Sequence, residues 1–251
     1  MSALVPALLG LVLCGLAGAC TPYVIGRLPE PEPDPEPEEG VELTPAQQAR
    51  LEEPPKELYA DLARRSWVLP VAAGVSAVTG SLLGGLLGWD WMLGLLWLLV
   101  PVGALLGIVD WRTRLLPAIV VLPVTLVALL YGVGRWLLSG DHDDLVRGLV
   151  ALLVVRSVFW VLWFVRQAGM GFGDVRLAAL VGLVLGYAGW GEVLVGVYGA
   201  FVLFGVPGLV IAIVRRDRSM LKKGYPFGPF LLAGAVLGFA VGGPVVEAIY
   251  G

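Results

Sequence analysis

The sequence predicts an all-α integral membrane protein, a polytopic bundle of about eight transmembrane helices. Its composition supports this class: 58% of the residues are hydrophobic, 15% are charged, and the mean hydropathy is +0.85. A water-soluble domain cannot cover that much apolar side chain, because much of its surface stays in contact with water. Between Trp67 and Ile108 the only acid or base is Asp90. In lipid such runs form helices, since every backbone N–H and C=O must be satisfied within the segment.

Eight apolar segments follow one another along the chain. They cover approximately residues 3–25, 67–88, 91–109, 117–138, 145–165, 175–189, 193–214 and 227–250. The sixth segment is short for a hydrocarbon core of about 30 Å, so we expect it either to sit deep or to be shielded by neighbouring helices. Gly80, Gly84 and Gly88 recur at every fourth position in the second segment. This spacing predicts a face that packs closely against another helix.

The chain is predicted to divide into a first transmembrane helix (1–25), a connection rich in proline and glutamate (26–66), and a seven-helix membrane domain (67–251). Within the connection, residues 29–40 alternate proline with acid, which predicts an extended and solvated segment. A short polar helix is predicted over Thr44–Arg65, with Thr44 as the N-cap and Pro45 at the first helical position.

The basic residues predict which connections face the cytoplasm. Of the 17 lysines and arginines, 14 fall in or at the edges of the first, third, fifth and seventh connections. Because cytoplasmic loops carry the excess of basic residues, we expect these four connections to be cytoplasmic and both termini to lie on the other side.

Several classes of function are excluded by motifs that the sequence lacks. The only cysteines are Cys14 and Cys20, and neither CxxC nor HExxH occurs, so we expect no metal and no cofactor. The single histidine, His142, lies in an acidic loop, and GxSxG is absent, which argues against a serine–histidine protease. The net charge of −3 comes with no basic surface, so we expect no nucleic-acid partner.

Two carboxylates remain as candidates for chemistry. Asp110 lies in Val109-Asp-Trp-Arg-Thr-Arg-Leu-Leu-Pro117 at the end of the third segment, and Asp174 opens the sixth. Both are predicted at the cytoplasmic border of the membrane, and therefore at similar depth. Ionisable groups at membrane depth are unfavourable, which makes both aspartates functional candidates.

Hydrolysis of a peptide bond by aspartates explains why two carboxylates would be needed. One ionised carboxylate takes a proton from water, while a protonated partner polarises the scissile carbonyl. Two carboxyl groups held close together share one proton, because both cannot ionise cheaply. Gly171 and Gly173 remove side chains next to Asp174, so an extended substrate backbone could approach it. Taken singly, Asp174 could equally be a helix cap, and Asp110 an acid balanced by neighbouring arginines.

Four segments, in chain order, resemble the bacterial type IV prepilin peptidases, a family of GxGD aspartic membrane proteases. Gly171-Phe-Gly-Asp174 resembles their second-aspartate signature, and the segment from Asp110 to Pro117 resembles the first. Lys223-Gly-Tyr-Pro-Phe-Gly-Pro-Phe-Leu231 is similar to the start of their last helix. Tyr23-Val-Ile-Gly-Arg-Leu-Pro29 is similar to the end of their first.

This resemblance implies an aspartic endopeptidase of a bacterial cytoplasmic membrane, of the type IV pilus and type II secretion kind. Its catalytic pair would be Asp110 and Asp174, and its substrate a prepilin-like or pseudopilin membrane protein whose leader is removed. The membrane domain 67–251 would hold the peptidase. Residues expected to contact the substrate surround the pair: Gly171, Gly173, Arg112, Arg176, Pro226 and Gly228.

The sequence departs from the family in its first connection. Many bacterial members carry two CxxC pairs there and also methylate the new N-terminus of the substrate. Because this connection has no cysteine, its zinc site is absent and N-methyltransferase activity is doubtful, so we expect a peptidase alone.

Three alternatives stay open at this stage, and the oligomeric state is not determined by the sequence. Another GxGD protease, presenilin-like or signal-peptide-peptidase-like, would be expected to carry tyrosine where Val109 precedes the first aspartate. A transporter could use the two acids as a proton or cation relay, and a structural component would tolerate their loss. Arg156, in the middle of the fifth segment, is predicted to pair with a carboxylate, to reach a cavity, or to snorkel or pack.

Overall fold

The computed structural model describes residues 3–30, 57–165, 171–215 and 226–250, and within these ranges it contains ten helices and no strand. In chain order they are α1 (Leu4–Ala19), α2 (Thr21–Ile25), α3 (Tyr59–Ala63), α4 (Val68–Leu87), α5 (Leu93–Thr113), α6 (Ala118–Ser139), α7 (Asp143–Val165), α8 (Phe172–Ala188), α9 (Trp190–Arg215) and α10 (Gly228–Tyr250).

The helices confirm the predicted class, an all-α integral membrane protein built as a polytopic bundle. Six helical stretches in the described ranges are long and apolar enough to cross a membrane, the first being α1 and α2 together over Leu4–Ile25. A further apolar stretch, Trp190–Val206 in α9, is shorter. With α8, these stretches correspond one by one to the eight apolar segments of the sequence.

Helix α8 is the centre of the bundle. It has 17 residues, and from Asp174 to Tyr187 every residue except Arg176 is buried. Helices α6, α7, α9 and α10 all pack against it. The predicted shielding of the short sixth segment is therefore confirmed: α8 is covered by protein along its length.

The contact between α1 and α4 confirms the glycine face at two of its three positions. A Cβ atom built on Gly80 would lie 2.5 Å from the sulfur of Cys14, and one on Gly84 would overlap the carbonyl of Pro6. Only glycine therefore allows the two backbones to approach this closely. The prediction was wrong for Gly88, which ends α4 with a φ of +61° and has no atom near the position of a Cβ.

The described end of the first connection docks onto the bundle through α3. The carboxylate of Glu30 accepts 2.8 Å hydrogen bonds from the N–H groups of Tyr59 and Ala60, so it caps the start of this helix. Leu62 and Tyr59 are buried beneath it. The predicted proline–acid segment and most of the predicted Thr44–Arg65 helix lie outside the described residues. In the part of the predicted helix that the structure describes, only Tyr59–Ala63 is helical.

Candidate active site

Asp110 lies in the last turn of α5 and is 4% exposed. Its Oδ2 accepts a 3.0 Å hydrogen bond from the N–H of Gly228, the first residue of α10. Helix α5 ends three residues later because Arg114 adopts a left-handed conformation with a φ of 54°. The N–H of Arg114 donates a 2.8 Å hydrogen bond to the carbonyl of Asp110, so the turn closes on the residue that carries the carboxyl group.

Asp174 lies in the first turn of α8 and is 7% exposed. Its Oδ2 accepts a 3.2 Å hydrogen bond from the N–H of Gly171, the residue that precedes the helix. This is the half of a capping box that an acid at the third helical position provides. Its Oδ1 is buried and has no hydrogen-bond partner among the described residues. An oxygen of this kind is unfavourable until a water or ligand binds to it.

Leu116 connects the two aspartates. A Cβ on Gly173, next to Asp174, would lie 2.7 Å from Leu116 Cβ, and a Cβ on Gly228 would lie 3.4 Å from Leu116 Cδ1. The first turns of α8 and α10 therefore pack on the same side chain, and the two carboxyl groups are close enough to interact electrostatically. The carboxyl group of Asp174 lies at the N-terminus of its own helix, α8, and that of Asp110 lies at the N-terminus of α10. The backbone N–H groups at a helix N-terminus carry partial positive charge.

Of the other residues predicted around the pair, the glycines lie next to it. Gly228 is buried against Asp110, and the N–H of Gly171 donates a hydrogen bond to Asp174. Gly173 is half-buried against Leu116. Pro226 lies two residues before α10 and is half-buried.

The two predicted arginines make their contacts away from the carboxyl groups. Arg112 forms a 2.7 Å ion pair with Glu57, and the guanidinium of Arg176 lies 5.0 Å from the ring centre of Phe172.

Three residues of the site escaped the sequence analysis. Thr113 is buried one turn after Asp110 and donates a 2.8 Å hydrogen bond to the carbonyl of Val109. Tyr59 of α3 is also buried and lies beside the side chain of Thr113. No signal in the sequence joins α3 to α5, because the two helices are far apart in the chain.

Glu57 is the third of these residues, and it ties α3 to α5 through charge. It pairs with Arg65 at 2.9 Å and with Arg112 at 2.7 Å. Burial alone would raise the pKa of the Glu57 carboxyl, but the hydrogen bonds and charges of Arg112 and Arg65 outweigh burial and hold that pKa below its ordinary value of 4.5. The first connection is thereby fastened to the turn of α5 that carries Asp110.

An apolar cavity of about 710 Å³ opens between α4, α5, α8 and α10. Near the aspartates it is lined by Trp111, Arg112 and Pro229, which are sequence neighbours of Asp110 and Gly228. Deeper in the bundle its walls are mostly valine and leucine, and the small residues of α5 on its wall leave space for it: Gly103, Ala104 and Gly107.

The possible metal ligands that cluster in the described part of the chain lie away from the aspartates. Among the described residues, the group of three possible metal ligands is Asp141, His142 and Asp143, and all three are exposed on the loop at the start of α7. This loop lies at the other end of α7 from α8, so it is remote from Asp174.

Fold and site together define a polytopic membrane protein with a buried pair of aspartates at one end of its bundle. The model of the type IV leader peptidase family matches residues 95–242, which is more than half of the chain and includes both aspartates. The chain therefore belongs to the type IV leader peptidase family.

Curated relatives that match the chain carry the name prepilin leader peptidase/N-methyltransferase. The protein of Stutzerimonas stutzeri is 29% identical over 145 residues, covering 57% of this chain and 48% of the relative. That of Pseudomonas aeruginosa is 29% identical over 157 residues, covering 60% and 52%, and that of Escherichia coli K12 is 30% identical over 134 residues, covering 53% and 56%. The chain thus spans about half the length of these relatives. No solved structure matches it.

Proposed function

We propose that this protein is an aspartic endopeptidase that removes the leader from a type IV prepilin-like or pseudopilin precursor in a bacterial cytoplasmic membrane. The observation that carries the proposal is the packing that brings Asp110 and Asp174 to one place. Both carboxyl groups are buried, and Gly228, which binds Asp110, and Gly173, which precedes Asp174, lie against the same side chain, Leu116. Membership of the type IV leader peptidase family supports the same activity.

The geometry supports a division of work between the two carboxyl groups. One carboxyl group is ionised and takes a proton from the attacking water, which can bind at the unpartnered Oδ1 of Asp174. The other carboxyl group is protonated and donates a hydrogen bond to the scissile carbonyl oxygen. After water adds to the carbonyl carbon, the C–N bond breaks, and the carboxyl group that took the proton of the water passes it to the leaving amine. The attacking group is water, so no covalent enzyme intermediate forms.

The apolar cavity supports a route for the substrate. The apolar helix of the precursor binds along α5 and α10, where Gly103 and Gly107 leave space. The cleavage bond then lies next to Trp111 and Pro229, at the end of the cavity nearest the aspartates. The charge distribution predicts that this end faces the cytoplasm. N-methyltransferase activity forms no part of the proposal.

Cleavage of a precursor by the purified full-length chain tests the proposal. The protein is incubated with a prepilin-like precursor, and mass spectrometry of the product identifies its new N-terminus and any methyl group on it. Asp110→Asn and Asp174→Asn should each lower the cleavage rate by a factor on the order of 10⁴, since residues that act as one unit cannot replace each other. Both variants should keep the helical content of the wild type. Cleavage retained by both folded single variants would exclude the aspartic mechanism.

A further inference from the structure

Arg156 lies near the middle of α7, and its side chain is exposed on the outside of the bundle. Helix α7 runs over Asp143–Val165. At 1.5 Å per residue, Arg156 is about 20 Å from the first residue of the helix and about 14 Å from the last. The buried residues of the helix are on another face: Leu145, Gly148, Ala151, Val155 and Phe159. The structure therefore places a permanent cation on the lipid-facing surface of a membrane-spanning helix.

This cation has no protein partner in the part of the chain that the structure describes. No hydrogen bond, ion pair or ring contact of Arg156 occurs there. Arg156 also does not line the cavity beside the aspartates, so the predicted cavity role is wrong for that cavity.

Snorkelling of Arg156 towards water has a long distance to cover in either direction. Side chains on a helix lean towards its N-terminus, which for Arg156 is the more distant end, about 20 Å away. A side chain that points towards the C-terminus of α7 must reverse this lean. The distance from Arg156 to that end of the helix is about 14 Å, more than two helical turns of about 5.4 Å each. An unpaired charge at this depth is strongly unfavourable. An anion inside the membrane would lower this cost, and the described residues offer Arg156 none.

The residues around Arg156 form one continuous ridge. Leu149, Leu153, Arg156, Trp160 and Phe164 are spaced three or four positions apart, which puts them on the same face of the helix. Leu153 is 59% exposed and Phe164 is 61% exposed, and the rings of Trp160 and Phe164 stack with centres 5.6 Å apart. We call these five residues the Arg156 ridge. It is an apolar surface with a single cation at its centre. A ridge of this kind can pack into the groove of another helix.

A second copy of this chain does not supply the anion. Apart from the buried Asp110 and Asp174, every acid of the sequence lies in a connection or near the end of a membrane helix, as Asp143 does in α7 and Glu192 in α9. A symmetric contact between two copies of α7 would also bring two arginines together. We propose that the Arg156 ridge binds a transmembrane helix of another protein, one that carries an aspartate or glutamate at mid-membrane depth.

Association with a defined peptide tests the proposal. The probe is a synthetic transmembrane helix of leucine and alanine with one central glutamate, and the matched control carries glutamine there. Binding to the labelled full-length protein is measured by energy transfer in phosphatidylcholine vesicles. The wild type should prefer the glutamate peptide by about tenfold, in line with polar contacts between model membrane helices. Arg156→Leu should remove this preference, and Arg156→Lys should keep most of it.

Three kinds of result would overturn the proposal. The first is equal binding of the two peptides by the wild type, or a preference that survives in Arg156→Leu. The second is retention of phosphatidylglycerol that depends on Arg156, measured by native mass spectrometry, without a peptide preference; the anion would then be a lipid. The third is energy transfer between two labelled copies of the protein that Arg156→Leu abolishes, which would make the partner a second copy. None of these measurements depends on peptidase activity.

Discussion

Asp110 and Asp174 are buried to a similar degree, but they are held in different ways. Asp174 accepts its hydrogen bond from Gly171, so its carboxyl group is positioned within the first turn of its own helix. Asp110 accepts its hydrogen bond from Gly228, which lies 118 positions away in the sequence. Its carboxyl group is therefore positioned only when α10 docks onto α5. One half of the candidate site is set by local structure and the other by tertiary packing.

The residues around the two aspartates also differ in whether they come from local structure or from distant parts of the chain. On the side of Asp110, α3 packs against α5 with Tyr59 beside Thr113, and Glu57 forms an ion pair with Arg112. On the side of Asp174, the contacts described are with the helix start itself and, through Gly173, with Leu116. Substitutions remote in sequence should therefore act mainly on Asp110, and substitutions in the GFGD segment mainly on Asp174.

Alanine at Gly228 should have the largest effect among the glycine substitutions. The new Cβ would lie 2.6 Å from Asp110 Oδ2 and 3.2 Å from its Cγ, so the carboxyl group or the start of α10 must move. We expect the cleavage rate to fall about a hundredfold, because a displacement of about 1 Å in a site of this kind has that effect.

Gly171→Ala is the matched control on the side of Asp174. The nearest atom to its new Cβ is Asp174 Oδ2 at 3.7 Å, an ordinary contact, and the backbone of Gly171 is extended, with a φ of −76°. We expect its cleavage rate to stay close to that of the wild type. Equal losses in the two variants would contradict the distinction between local and tertiary positioning.

Gly173→Ala should have an intermediate effect, because it changes the contact that joins the two halves. Its Cβ would lie 2.7 Å from Leu116 Cβ, an atom fixed to the backbone. Overpacking of this kind destabilises a protein by about 1–3 kcal/mol, and we expect a roughly tenfold slower cleavage together with a lower Tm. Adding Leu116→Ala should not restore the rate, because alanine keeps the Cβ. Rescue by that second substitution would place the collision further along the leucine side chain.

The features of the fold and the site that could be predicted from the sequence depend on short-range patterns. The apolar segments, the shielded position of α8 and the packing of Gly80 and Gly84 against α1 follow from composition and from spacing along one helix. The same holds for the common membrane depth of the two aspartates, since both lie at the end of an apolar segment.

The remaining features depend on how distant helices meet. The resemblance to the family placed Gly228 near the pair, but neither its bond to Asp110 nor the ion pair between Glu57 and Arg112 follows from residues that are neighbours in the sequence. Gly88 shows a limit of predictions from spacing. It continues the four-residue spacing of Gly80 and Gly84, but α4 ends there and Gly88 forms the turn after the helix. A spacing predicts a face only as far as the helix extends.

Glu57→Gln should have a smaller effect than the glycine substitutions, confined to the side of Asp110. Its two arginine partners are 54% and 40% exposed, and exposed ion pairs contribute only about 0.2–1 kcal/mol each. We therefore expect a two- to fivefold loss of kcat/KM. Arg65→Gln is the control: it removes one ion pair and leaves the pair with Arg112, so its loss should be smaller.

The pH dependence of the same variant gives a second measurement. Because the pKa of Glu57 in the folded protein lies below 4.5, its ion pairs contribute fully above that ordinary value and are lost as the pH falls through the lowered pKa. The difference in Tm between wild type and Glu57→Gln should therefore shrink towards acid pH. A difference that stays constant across the acid range would show that charge on Glu57 does not fasten α3.

Arg176→Gln should have the smallest effect, and it tests whether the Asp174 side extends beyond its own helix. The guanidinium of Arg176 stacks over Phe172 in the first turn of α8, a contact worth about 0.5–1 kcal/mol when exposed. If that contact is its whole role, Tm should fall slightly while kcat and KM for the precursor stay within about twofold of the wild type. A KM that rises tenfold at unchanged Tm would instead make Arg176 a substrate contact. Asp174 would then be the aspartate whose surroundings are completed by the substrate, as those of Asp110 are completed by α10.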